Sequence, residues 1–272
     1  MKFVLSILFA ICVAGSVTGV GGTVGFSRGD TAATAYPFSC SWDSLTADFA
    51  DRDALPQTQD PPGRWYSKNA EGDYPNAGWG PRANALPAPD IPLNAGCDPS
   101  VWKQERILAV AMRYIYLPGN PLGLQYRHHH IPDWDPPTST YAGVSEDNPD
   151  PDAPRGPAAW GAGRGLDCSN FTAWVYNYGL GIKFSGDVHQ QFDGTAGPMG
   201  LRVGRDGPFR SGDLIYLHPN GNTGHASHVV IYIDDQRIID SRLDAQNVPG
   251  VQIRNRLGWY REAVLGAWRP IG

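Results

Sequence analysis

Cys168, His228 and Asp240 are the residues whose types and surroundings could together perform nucleophilic chemistry at an acyl group. Cys168 follows Asp167, a natural helix cap, and begins a stripe of Cys168, Phe171, Val175 and Tyr178 at helical spacing that is expected to stop at Gly179. A thiol in the first turn of a helix faces unsatisfied backbone N–H groups and the positive end of the helix dipole, and both are expected to favour thiolate. His228 opens a β-type run, where a side chain stands at the rim of a sheet and can act as the base. His225, three residues upstream in a Gly-rich stretch, is its nearest competitor.

A base needs a polar group to orient its ring, and one residue of hairpin register decides whether Asp240 can be that group. If Asp234, Asp235 and Gln236 form a three-residue loop, Val230 pairs with Asp240, and Asp240 lies diagonal to His228 on the same face. A two-residue loop at Asp235 and Gln236 puts Asp240 on the opposite face. The reading of Asp240 as orienter therefore depends on the odd loop.

The elements that must hold these residues follow from periodicity. Trp102, Ile107, Val110, Ala111 and Tyr114 recur at helical spacing, predicting a helix over 101–114 with Asp98 or Ser100 as its cap. After the Cys168 helix come short runs over 213–217, 228–233, 237–241, 251–254 and 264–268, separated by turn residues. Helices first and strands afterwards is the α+β order, with helices packed on one face of an antiparallel sheet. Residues 117–165, rich in Pro, Gly and Asp, are too long for a simple connection and are expected to form a wall or lid. His128, His129 and His130 lie there, but neighbours on an extended chain point to alternate sides, so no metal site is expected. One of them, taken as His130, is expected to line a cleft while Trp134 packs. Gln190 and Gln191 fit either a substrate contact, for which Gln191 is the choice, or a plain helix surface.

Bulk properties narrow the function classes. A chain of 272 residues with 33 Gly, 24 Pro and 18% charged residues suits one loop-rich catalytic domain with an N-terminal extension. A net charge of -5 and no run of Lys or Arg argue against nucleic acid as a partner. Lys2, the apolar run from Phe3 to Ala14 and small residues from Gly15 to Gly22 read as a cleavable secretory leader over 1–20, and the run is too short to span a bilayer. Its removal leaves Cys40, Cys97 and Cys168, an odd set in an oxidising compartment, so at least one thiol stays unpaired. Cys40 and Cys97 share the Pro-rich region 21–100, an irregular but aromatic wrap that they could bridge. The mature chain is thus expected to be secreted or periplasmic, free of the membrane and monomeric.

Three stretches in order, LDCSNFTAWVYNYGLGIKFSGDVHQQ, RSGDLIYL and SHVVIYIDDQRIID, resemble the successive signatures of NlpC-type cell-wall cysteine peptidases, and the terminal VLGAWRPIG is similar to that family's last strand. The likeness covers about 101–272, taken as the catalytic domain. It implies a papain-like fold, Cys168 as nucleophile, His228 as general base and Asp240 as the third polar residue, with no cofactor. It also implies hydrolysis of peptide bonds in peptidoglycan stems, often between D-glutamate and a diamino acid. Asn170 stands where the family usually has Gly, and the aromatic segment before the Cys is not intact, so that Tyr126 or Trp160 is its remnant. Tyr126, His130, Trp160, Asp167, Ser169 and Gln191 are the expected substrate contacts, and Tyr126 is also the candidate to assist the oxyanion. Another Cys–His amidase or acyltransferase, or a catalytically silent wall-binding protein, are the alternative readings.

Overall fold

The computed structural model describes residues 36–55, 58, 83–92, 95–124, 126, 166–218, 224–242 and 250–272. The expected leader, most of the 117–165 stretch and, with it, His130, Trp134 and Trp160 lie outside the described residues.

Two short helices, α1 (Trp42–Thr46) and α2 (Phe49–Asp53), occur where only irregular chain is expected. At five residues each they are too short for a periodic pattern to reveal them. Cys40 and Cys97 form a disulfide that spans 57 residues. Arg52 ties α2 inward, donating to the carbonyls of Tyr178 at 2.9 Å and Pro87 at 2.6 Å. The buried Arg106 pairs with Asp48 at 2.6 Å and donates to the Leu45 carbonyl.

Helix α3 (Pro99–Arg113) begins at Asp98, whose carboxylate accepts from the Ser100 N–H, with Pro99 at the position where a missing N–H costs nothing. Helix α4 (Cys168–Leu180) is capped by Asp167, which accepts from the Asn170 N–H. It runs past Gly179 and stops at Gly181, which adopts φ +69° as its left-handed cap. Gly179 serves a different need: α3 crosses α4 there, a Cβ would lie 3.0 Å from Ile107 Cδ1, and Arg106 Nε donates to its carbonyl.

After α5 (Val188–Asp193) come β1 (Leu201–Val203), β2 (Leu214–Leu217), β3 (His228–Asp234), β4 (Arg237–Arg242), β5 (Gly250–Asn255), α6 (Trp259–Glu262) and β6 (Val264–Arg269). The strands form one antiparallel sheet in the order β1-β6-β2-β3-β4-β5. The fold is the expected α+β arrangement of a Cys-bearing helix on an antiparallel sheet; β1, α5 and α6 are additions that short, weakly patterned segments do not announce. Tyr216, Val229, Ile231, Ile239 and Val251 join α3 and α4 in the main core. Ile215, Leu217, Val230, Tyr232 and Ile238 alternate onto the other face, in a smaller cluster against which Trp259 and Tyr260 pack. Each fully buried side chain of this size contributes about 1.5–3 kcal/mol of transfer free energy.

The β3–β4 hairpin resolves the register question in an unexpected way. Asp234 pairs with Arg237, so the loop holds only Asp235 and Gln236, the case that sends Asp240 to the wrong face. The register then shifts between Tyr232 and Asp234, and beyond it Tyr232 pairs with Ile238 and Ile231 with Ile239. The extra residue of this bulge restores the pairing a three-residue loop would impose, and one step further puts Asp240 opposite Val230, on the face of His228.

Candidate active site

His228 and Asp240 pair at the end of the sheet where α4 begins, and the Cys168 thiol lies beside Val229, the residue next to His228. His228 Nε2 lies 2.7 Å from Asp240 Oδ2. Asp240 is 0% exposed and has two further partners: Arg254 Nε donates to Oδ1 at 2.8 Å, and the Tyr260 hydroxyl donates to Oδ2 at 2.8 Å. Burial pushes the Asp240 carboxyl up, but the hydrogen bond and charge of His228, joined by the Arg254 guanidinium, hold it below the usual carboxylate range. Tyr260 is raised by burial and by the Asp240 charge, so it stays protonated and donates.

Neither Arg254 nor Tyr260 is foreseen from the sequence. Arg254 reaches Asp240 because Asp240 pairs with Gln252, which places Arg254 diagonally on the same face. That pairing is one of several registers the two runs could adopt, so the sequence alone does not select it. Tyr260 depends on α6, a four-residue helix entered through Gly258.

Cys168 is 7% exposed, and the backbone N–H groups of Val229 and Ser169 reach its sulfur. Contact with the Val229 N–H sets the thiol beside the residue next to His228. The expectation of a thiolate favoured by the helix start is not met. Burial, then the Asp167 and Asp240 charges, push the thiol well up, and the two N–H groups offset only part of this. Cys168 therefore rests as a thiol and needs a base to react.

Asp167 is nearly buried and its carboxyl is spoken for. Oδ1 accepts from the Asn170 N–H at 2.8 Å and the Ser169 hydroxyl at 3.2 Å, and the Asn170 amide reaches both oxygens, at 2.9 and 3.0 Å. Burial pushes Asp167 up to about 6 against the pull of these bonds. Asp167 and Ser169 are thus engaged in building the helix start. Replacing Asp167 by Asn is expected to keep the cap, since Asn caps as well as Asp, while removing a negative charge beside the thiol. Alkylation of Cys168 by iodoacetamide at pH 7 should become severalfold faster; an unchanged rate would contradict the coupling. A carboxyl raised on folding weakens the fold as pH climbs from about 4 to about 6, and Asp167→Asn should lose that leg of the pH–stability curve.

Asn170 finds its space at Gly186, where a Cβ would stand 2.2 Å from Asn170 Oδ1. Gly186→Ala is expected to destabilise the chain by about 1–3 kcal/mol, as overpacking does. In an Asn170→Gly background the same change should cost much less, a coupling that urea unfolding of the four chains measures.

Gln191 is a correction. It is 0% exposed, its amide donates to the carbonyls of Ser169 at 3.0 Å and Ser185 at 2.7 Å, and its oxygen lies 3.4 Å from the hydroxyls of Thr172 and Tyr216. A side chain so enclosed fixes α5 to the start of α4 and does not meet substrate. Tyr126 is half-buried just beyond Leu124, whose carbonyl accepts from the Val251 N–H of β5. His130 and Trp160 fall outside the described residues. His225 is exposed, and its ring packs at 5.5 Å against His189. Among the described residues, no three His, Cys, Asp or Glu side chains are grouped to hold a metal ion.

Residues 156–268 match the NlpC/P60 family. No curated protein matches the chain. Similar solved structures include an NlpC/P60 family protein from Bacillus cereus, 30% identical over 40% of this chain and 32% of that one, with a TM-score of 0.33. A protein from Staphylococcus aureus described as similar to a lipoprotein of the NLP/P60 family is 19% identical over 65% of this chain and 43% of that one, with a TM-score of 0.38. The NlpC/p60 domain of the peptidoglycan hydrolase SagA is 22% identical over 39% of this chain and 77% of that domain, with a TM-score of 0.30. The chain spans about a third of the length of the first of these and under half of the second.

Proposed function

We propose, from the premise that residues 156–268 are an NlpC/P60 domain, of a family of cysteine peptidases and peptidoglycan hydrolases, that this chain hydrolyses peptide bonds in peptidoglycan stem peptides, between D-glutamate and a diamino acid. The observation that carries the reading is the buried His228–Asp240 pair at 2.7 Å, next to the residue whose N–H reaches the free thiol of Cys168 at a helix start. Nε2 is committed to Asp240, which leaves Nδ1 to exchange a proton with Cys168.

The reaction is acyl transfer. His228 takes the thiol proton as Sγ attacks the scissile carbonyl carbon, and the backbone N–H of Cys168 steadies the oxyanion. The tetrahedral species collapses, the C–N bond breaks and His228 returns the proton to the leaving amine. Water, deprotonated by His228, then attacks the thioester and frees the new carboxylate and the thiol. Asp240 keeps the imidazole in one tautomer and orientation throughout, as the third member of such a triad does.

Export belongs to the same reading. The Cys40–Cys97 disulfide suits an oxidising compartment, in keeping with the leader-like first 20 residues. The test is digestion of purified peptidoglycan and defined stem peptides, with new termini read by mass spectrometry. A new amine on the diamino acid supports the endopeptidase. A freed lactyl-muramic end would make the chain a wall amidase on the same Cys–His pair, and no cleavage by a chain whose Cys168 is reactive would contradict the peptidoglycan assignment.

A further inference from the structure

Helix α6, only four residues long, brings two aromatic rings to the base. Tyr260 bonds Asp240, and its ring centroid lies 6.3 Å from that of His228. Trp259 lies nearer, at 5.7 Å and tilted by 42°, and packs edge-on to Tyr260 at 5.0 Å. The guanidinium of Arg242, two residues beyond Asp240 on the same strand, sits over the Trp259 ring at 4.5 Å. Trp259 is half-buried, so its ring is both packed against the imidazole and held from the side by a cation–π contact. The Arg–Trp pair thus forms a brace whose inner end is the catalytic imidazole.

We infer that Trp259 is a positioning residue for His228, and that Arg242 keeps it in place, so that α6 fixes the imidazole in the orientation from which it can serve Cys168. The inference rests on the Cys–His reading above and adds to it a residue outside the triad. An imidazole held only through Nε2 can still swing about that bond, and a flat ring packed against it removes the swing. Each such contact is individually small, but a base displaced by a fraction of an ångström loses its proton-transfer geometry. The groups facing His228 are Asp240 from β4 and Trp259 and Tyr260 from α6, with the Cys168 thiol of α4 held at the neighbouring Val229; Arg254 from β5 acts on it through Asp240, and Arg242 through Trp259 and through Tyr260, to which it also hydrogen-bonds. His218 and His225 precede β3 at the same end of the sheet, and both are left unaltered in the test.

The readout is the pH dependence of iodoacetamide alkylation at Cys168 in the full chain, followed by peptide mass mapping, for wild type, Trp259→Phe and Trp259→Ala. Because the resting thiol is held up by burial and by carboxylates, its reactivity near neutral pH reports how well the base engages it. Trp259→Ala is expected to lower the rate at pH 7 by about tenfold and move the acid limb to higher pH, while Trp259→Phe, which keeps a flat ring, recovers most of both. Arg242→Met should fall between the two. Thermal unfolding of each chain accompanies the series, and an Ala variant that melts with wild type makes the rate change one of position and not of folding. A Trp259→Ala profile superposable on wild type would overturn the inference, as would equal losses in the Phe and Ala variants. The assay needs no peptidoglycan, so a wrong substrate leaves it readable. A wild-type profile that titrates as a solitary thiol would instead remove the Cys–His reading, and this inference with it.

Discussion

Alanine at His228 is expected to lower the rate of stem-peptide cleavage by about 10⁴-fold while the chain keeps its disulfide and its cooperative unfolding. The size of the effect follows from the state of the nucleophile. Were Cys168 a preformed thiolate, losing the base would cost mainly the proton delivered to the leaving amine. Here burial and the charges of Asp167 and Asp240 keep the proton on sulfur, so the variant loses both the activation of Cys168 and the protonation of the amine. The alkylation rate at Cys168 should fall in parallel at pH 7 and recover only at strongly alkaline pH. Retention of activity within about tenfold of wild type would instead point to His225 as the base.

Changing Asp240 should affect activity and stability together. Asp240→Ala removes the orienter of His228 and takes the carboxylate away from the largely buried Arg254 guanidinium and Tyr260 hydroxyl. Breaking a buried ion pair on one side costs about 3–5 kcal/mol, a large share of the stability of a domain this size. Asp240→Asn keeps the volume and separates the two effects: a smaller loss of stability, but about 10³-fold lower activity, because the amide no longer selects the productive tautomer of His228. The pH dependence has a defined sign. Asp240 is held below its ordinary range in the folded chain, so its contribution is complete above about pH 4 and is lost as pH falls through the folded value. Urea unfolding between pH 6 and pH 2, in round figures, should show the Asn variant losing less stability on acidification than wild type does. Equal slopes would contradict the role given to the Asp240 charge.

How much of this was legible in the sequence differs from element to element. The helix at Cys168 and the strand at His228 are announced by long runs of regular spacing, and Asp98 and Asp167 act as the caps their positions suggest. Asp240 lies on the expected face by a different route: the loop is two residues long, and a bulge near Ile233 supplies the missing residue. A bulge leaves no mark on an apolar run such as the one from Val229 to Ile233, because both faces of this sheet are covered. Gly179 read as a stop when it is a crossing point, since a glycine that ends a helix and one that admits a neighbouring helix look alike until the neighbour is known. The upward push on the Cys168 thiol is not legible, because a helix start can be read from a cap, whereas burial of the thiol and the approach of Asp240 arise only from tertiary packing. Gln191 shows the same limit: its spacing is right for the site, but its burial turns it into a brace between α5 and α4.

The most direct measurement is the intact mass of the chain quenched in acid during turnover of a defined stem peptide. Nucleophilic attack by Cys168 predicts a fraction of the wild-type chain heavier by the acyl half of the substrate, mapped to Cys168 and discharged by hydroxylamine, and none in Cys168→Ala, which also releases no product. Product formed by wild type with no adduct at any quench time, or cleavage that persists in Cys168→Ala, would contradict the covalent Cys–His mechanism.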